Sequence, residues 1–141
     1  MVSTLGGNDV STSTTATLLR AVRSLTAHVD GELHGTGLAV DHWLVMDALS
    51  VSAGLTMAEL QTLTLTAAPT LTRVVDRLVT QALAYREVDQ YDRRKVRVYL
   101  SDRGVDVHEE LHRKISPVEA RWTASQGAQL RDRLSPAPEQ P

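Results

Sequence analysis

The sequence predicts a mainly helical α+β fold, and three observations carry that prediction. Apolar residues make up 42% of the chain but aromatics only 4%, with no Phe, so the core is aliphatic and suits helices. Over long stretches apolar residues recur every three or four positions, which puts them in one stripe on a helix. The period changes in Tyr85-Arg86-Glu87-Val88 and Val96-Arg97-Val98-Tyr99-Leu100, which read as two short strands joined by the polar turn from Asp89 to Lys95. A helix followed directly by a basic-tipped hairpin is the pattern of a winged helix-turn-helix.

At 141 residues the chain is one domain by length, long enough for a sizeable core. The formal charge of -2 gives no global nucleic-acid signal, so any DNA affinity has to come from local clustering. Residues 84–104 supply such a cluster in Arg86, Arg93, Arg94, Lys95, Arg97 and Arg103, set against Glu87, Asp89, Asp92 and Asp102. With no Cys, disulfides and thiolate metal sites are excluded within the chain. No apolar run approaches the roughly 18 residues of a membrane span, and the N-terminus has no basic segment leading into an apolar one. The expectation is a cytoplasmic protein.

Taken in order, residues 1–15 are rich in Ser, Thr and Gly and read as a disordered arm without the Arg or Lys that a DNA-reaching arm needs. Residues 16–34 form a helix whose stripe is Leu18, Val22, Leu25, Val29 and Leu33. Gly35-Thr36-Gly37 breaks it, and Val40 to Val51 forms a second helix with Trp43, Leu44, Met46 and Leu49 available to the core. Thr56 followed by Glu59 is a capping box, so a third, short helix starts there, with Thr62 to Leu65 as the following turn. The next helix, 67–83, carries the stripe Leu71, Val74, Val75, Leu78, Ala82 and Leu83 behind Pro69, and the hairpin 85–100 follows. Ser101 caps a long helix with Val105, Val107, Leu111, Ile115, Val118 and Trp122 on its buried side. Pro117 is expected to kink or interrupt it, and Gly127 to break the chain before a last helix ending near Leu134. Residues 135–141, with three prolines, read as a disordered tail.

TLTRVVDRLVTQALAYR followed by DQYDRRKVRVYLSDRG resembles the signature of the multiple-antibiotic-resistance regulator (MarR) family, in which a T-R-L-V-D-R-L helix precedes a D-x-x-D-R-R wing and then L-T-x-x-G. The departures are Ala82 in place of the usual Gly, and Ala67-Ala68-Pro69 where Ser-rich sequence is common. The resemblance implies a single regulator domain, 16–134, in which 16–34 and 101–134 are dimerisation helices and 40–100 is the DNA-binding winged helix. It also implies a homodimer and a small-molecule effector bound between the two parts.

Double-stranded DNA is the expected partner, read as a near-palindromic operator with about 10 bp between half-site centres. Thr70 and Arg73, one turn apart and opposite the apolar stripe, are candidates for base edges in the major groove. Thr66, Ala68 and Thr72 border that face, and Arg77 lies on it; Asp76 is expected to orient Arg73 or Arg77. At the hairpin tip Arg93 and Arg94 suit the minor groove, Asp92 holds and aims the tip as the family motif implies, and Lys95, Arg97 and Arg86 suit phosphates.

No cofactor is required, but His108 and His112 sit four apart on a helix, where both imidazoles can face one metal ion. His42 as a third ligand is similar to the arrangement in zinc-sensing members of the family, so a zinc-responsive regulator is one alternative. The other is a winged-helix adaptor for protein partners without DNA binding, which the weak overall charge permits. No Gly-rich phosphate loop, nucleophile elbow or complete metal-hydrolase motif is present, so an enzyme is not expected.

Overall fold

The computed structural model describes residues 13–135. Six α-helices and three short strands follow in the order α1 Thr14–Leu33, α2 Val40–Ser50, β1 Leu55–Thr56, α3 Met57–Thr64, α4 Ala68–Thr80, β2 Ala84–Val88, β3 Val96–Leu100, α5 Asp102–Trp122 and α6 Ala128–Leu134. Most of the expected arm and tail lie outside the described residues, but the helix begins earlier than expected. Ser13 Oγ accepts the N–H of Ala16 and caps α1, which draws Thr14 and Thr15 into its first turn.

Between α2 and β3 the apolar stripes converge on one aliphatic core. Val45 and Met46 from α2, Leu60 from α3, Leu71, Val75 and Leu78 from α4, Val98 from β3 and Ile115 from α5 are almost wholly buried. Each such side chain contributes about 1.5–3 kcal/mol over leaving it in water. Trp43 lies in this core, with its ring stacked on His108 of α5.

The helix-turn-helix differs from expectation at its turn. Thr62 Oγ1 bonds back to the Ala58 carbonyl and Thr64 Oγ1 to that of Leu60, so the alternating Thr and Leu continue α3 to Thr64. The turn begins one residue later, at Leu65, which takes the left-handed conformation with φ 53°. The capping box is present as read, with Glu59 N donating to Thr56 Oγ1 and Thr56 N to the Glu59 carboxylate.

Two-residue β1, which the sequence reading missed, pairs with β3 and makes the hairpin a three-stranded antiparallel sheet of order β1-β3-β2. On that sheet Tyr85 stacks across the strands on Tyr99 at 5.2 Å between ring centroids.

Between α4 and β2 the chain turns at Ala82, with φ 57°, the position where the family usually has Gly. The start of α5 clamps this turn. Ser101 Oγ donates to the Ala82 carbonyl, Ser101 N donates to that of Leu83, and the Cα of Gly104 lies so close that a side-chain carbon there would sit 1.9 Å from the Leu83 oxygen. Only glycine fits.

Neither expected interruption of the last helix occurs where the sequence suggested. The α5 helix runs through Pro117 to Trp122, because Ile115 and Val118 on its inner side are buried while Pro117 faces solvent. Gly127 is helical, and a five-residue π-helical turn, 123–127, joins α5 to α6 without a break. Among the described residues no helix is long and apolar enough to cross a membrane.

Candidate nucleic-acid interface

Helix α4 buries Leu71, Val74, Val75 and Leu78 and turns Thr72, Arg73 and Asp76 outward, with Thr70 half-buried at the edge. Its N-terminus lacks a side-chain cap, since Ala67 occupies the capping position and Pro69 the first turn. The free first-turn N–H groups and the helix dipole therefore favour an anion there. Thr66 and Ala68 flank that end. Thr72 Oγ1 donates to the Ala68 carbonyl at 3.0 Å, which leaves its methyl group and lone pairs outward. Arg73 is exposed and, among the described residues, has no ion-pair partner.

Arg77 and Asp76 depart from the sequence reading. Arg77 turns toward the α1–α2 connection, close to Gly37, and with the Gln81 amide oriented oxygen-inward its Nε and Nη2 donate to Gln81 Oε1 at 2.9 and 3.1 Å. Asp76 orients neither Arg73 nor Arg77. Its carboxylate takes Arg86 of β2, fastening the wing to the recognition helix and occupying an arginine expected to meet phosphate.

The wing is built around Asp89. One carboxylate oxygen accepts the N–H groups of Tyr91 and Asp92, and the other accepts Arg97 Nε at 2.5 Å. These bonds stabilise the charged form and lower the Asp89 pKa to about 2, the Arg97 guanidinium being the largest cause. Arg97 also reaches Glu59 and the Gly54 carbonyl at 3.4 Å, so it ties the wing to α3 and is not free for phosphate as expected. Asp92 accepts both the backbone N–H and the Nε of Arg94, holding that side chain at the tip. Arg93 and Lys95 stand exposed beside it, with no ion pair among the described residues. Sequence reasoning placed Glu59 in the capping box and Asp89 in the turn but missed that both hold Arg97; an Asp followed two residues later by a turn N–H was the available signal that Asp89 organises the wing.

The proposed zinc set is not assembled. Among the described residues no group of three His, Cys, Asp or Glu side chains could hold a metal ion. His42 Nδ1 accepts the Ala39 N–H and closes the start of α2. His108 stacks on Trp43 at 4.8 Å and directs Nε2 to Asp47, while His112 Nε2 faces Ser116. The two α5 imidazoles are thus engaged in stacking and local hydrogen bonds, away from a common third ligand.

A family model described as "MarR family" matches residues 36–95, the span from the α1–α2 connection to the wing. Over that span the chain is similar to the MarR family. A MarR-family transcriptional regulator from Silicibacter pomeroyi is 27% identical and superposes with a TM-score of 0.67 over 82% of this chain and 77% of that one. A mutant MarR from E. coli, solved in complex with operator DNA, is 20% identical with a TM-score of 0.72 over 86% of this chain and 93% of that one. BpsR of Bordetella bronchiseptica, whose DNA binding is regulated by 6-hydroxynicotinic acid, is also 20% identical, with a TM-score of 0.74 over 90% and 91%. Among curated proteins no sequence matches. The chain therefore carries the winged-helix fold of MarR-family DNA-binding transcription regulators.

Proposed function

We propose that this chain is a homodimeric, sequence-specific and ligand-responsive transcriptional repressor that binds a near-palindromic operator. The observation that carries the reading is the pairing of an uncapped, outward-facing recognition helix, α4, with a wing whose tip presents Arg93, Arg94 and Lys95 while its base is locked by Asp89 and Arg97. In this reading α4 lies in the major groove and the wing tip in the minor groove. Half-exposed Leu18, Leu19 and Val22 on α1 supply the apolar surface for a second copy.

Binding of the full chain to random duplexes at two salt concentrations, with sequencing of the retained DNA, tests the proposal. A near-palindrome retained with steep salt dependence supports it; no enrichment above background sinks it. With the operator in hand, Arg73→Ala relaxes one position per half-site and costs about 1–3 kcal/mol there, whereas Lys95→Ala weakens all sequences alike and lowers the salt slope by about one. Equal effects of both changes on operator and random DNA contradict the assignment.

A further inference from the structure

At the terminal helices a cleft of about 240 Å³ runs between α1 and α6, and basic side chains meet in it without an acid. Arg20 of α1 and Arg133 of α6 line it, both exposed and, among the described residues, neither in an ion pair. None of the described residues lining it is a carboxylate. Nor is one near in sequence, since α1 has no acid before Asp30 and Asp132 is the only acid from residue 120 to 135. Like charges facing one seam repel, so this is a local excess of positive charge in a chain whose formal charge is -2. The rest of the lining is set to donate. Trp122 Nε1 donates to Ser24 Oγ at 3.0 Å, and Ser24 Oγ donates to Gln126 Oε1 at 3.1 Å. That relay occupies the Gln126 oxygen and leaves its amide N–H groups for the cleft, with the Gln129 amide as a second donor. Gln126 itself sits in the π-helical turn, a geometry frequent at functional sites.

Two guanidinium forks and an oriented amide, with no competing carboxylate, suit a tetrahedral anion, because each fork can give paired charge-assisted bonds to phosphate oxygens. The volume keeps the ligand small, since pockets for drug-sized ligands run to roughly 300–1,000 Å³. We propose that this cleft binds a phosphate group, either inorganic phosphate or the head of a small phosphate monoester, between Arg20 and Arg133 with Gln126 as a neutral donor. Bound there, it bridges α1 to α6, a helix that buries no residue of its own, and so fastens the end of the chain. At about 100° per residue, Arg20, Ala21 and Ser24 centre on the side of α1 roughly opposite Leu18, Leu19 and Val22. The site therefore does not draw on the apolar surface proposed for a second copy, and no part of it rests on the proposed function.

The test uses the full chain without DNA, at fixed ionic strength, titrated with inorganic phosphate and with phenyl phosphate. An uncapped helix N-terminus such as that of α4 also attracts phosphate, so the readout is local. The indole N–H of Trp122, hydrogen-bonded at the cleft, is followed by NMR beside that of Trp43 in the core, and Trp122→Phe tells the two signals apart. The expected result is a saturable shift of the Trp122 signal alone, with a roughly millimolar dissociation constant. Binding is expected to be about tenfold weaker in Arg20→Gln and in Arg133→Gln, as loss of one charge-assisted contact implies, with thermal unfolding showing that both variants fold. Tighter binding of phenyl phosphate assigns the site to a monoester whose body rests on Ala21 and Leu130; equal or weaker binding assigns it to free phosphate. A Trp122 signal unmoved at about 20 mM of either probe overturns the site. So does a parallel drift of both indole signals, or folded arginine variants that titrate as wild type does. Saturating phosphate is expected to slow hydrogen exchange in α6 at least about threefold, and unchanged exchange overturns the bridge.

Discussion

The DNA-binding body and the terminal helices are built from similar aliphatic residues but close their surfaces differently. In the body, α2, α3, α4 and β3 bury Val45, Met46, Leu60, Leu71, Leu78 and Val98 against one another, and its polar straps join elements of the same unit. At the terminal helices α1 buries Thr17, Val29 and Leu33 but leaves Leu18, Leu19 and Val22 half-exposed, and α6 buries nothing. Polar contacts there are sparse, with Ser24 taking the Trp122 indole N–H at 3.0 Å and donating to Gln126. In the body, exposed aliphatic residues such as Val51, Leu63 and Leu65 sit at helix ends, whereas Leu18, Leu19 and Val22 share one side of α1.

The strongest way to break this contrast is a core truncation. Leu78→Ala is expected to cost about 2–5 kcal/mol in urea unfolding, by an amount independent of protein concentration. A loss below about 0.5 kcal/mol would show that Leu78 does not sit in a tightly packed core. Leu19→Asp is expected to raise the dissociation constant of the proposed dimer at least tenfold, the cost of placing a charge where about 1.5 kcal/mol or more of apolar burial was gained. Analytical ultracentrifugation reads it, and an unchanged association constant would place the interface elsewhere.

Ala82→Gly is a smaller change in the opposite direction. The left-handed conformation costs a non-glycine residue about 1–2 kcal/mol, and glycine's greater freedom in the unfolded chain returns part of that, leaving a gain of roughly 0.5–1 kcal/mol. A lower melting temperature in the glycine variant would contradict the strain.

The smallest effect concerns pH. His42 titrates below its ordinary 6.5, first because it is buried and second because Arg77 is near. The unfolded chain therefore takes up this proton at a higher pH than the folded one. Stability from this source is full above about pH 6.5 and falls as pH drops through 6.5 toward the lower folded value. Wild type is expected to lose more melting temperature than His42→Gln between about pH 7.5 and pH 5.5. Equal losses in the two proteins would remove His42 as the cause.

Much of the fold was legible because it rests on local rules. The Thr56 and Glu59 capping box, the stripe Leu71, Val74, Val75 and Leu78, and the Ser101 cap all act within one helical turn of themselves. Strand β1 was not legible, since Leu55 and Thr56 become a strand only by meeting Val98 and Arg97 far along the chain. The same reason hid the engagements of Arg86 and Arg97. Each reads as a free cation until the hairpin brings Asp76 or Asp89 beside it. Arg73, Arg93 and Lys95 are exposed, with no ion-pair partner among the described residues. The histidines misled because i, i+4 spacing says which side of a helix two rings share, and Trp43 and Asp47 occupy that side.

The clamp between Gly104 and Leu83 sets a mechanical ratio. Helix α5 has 21 residues, hence a length of about 31 Å at 1.5 Å per residue. Its first turn is locked to the end of the recognition helix through Ser101 and Gly104, so that end cannot slip independently. In the proposed dimer, a pivot of only about 5° at the far end of this rod swings the reading head by about 3 Å, close to the rise of one base pair along DNA. Under the proposed function, a small rearrangement among the terminal helices would be magnified into a change of half-site spacing, with the close packing at Gly104 passing it on.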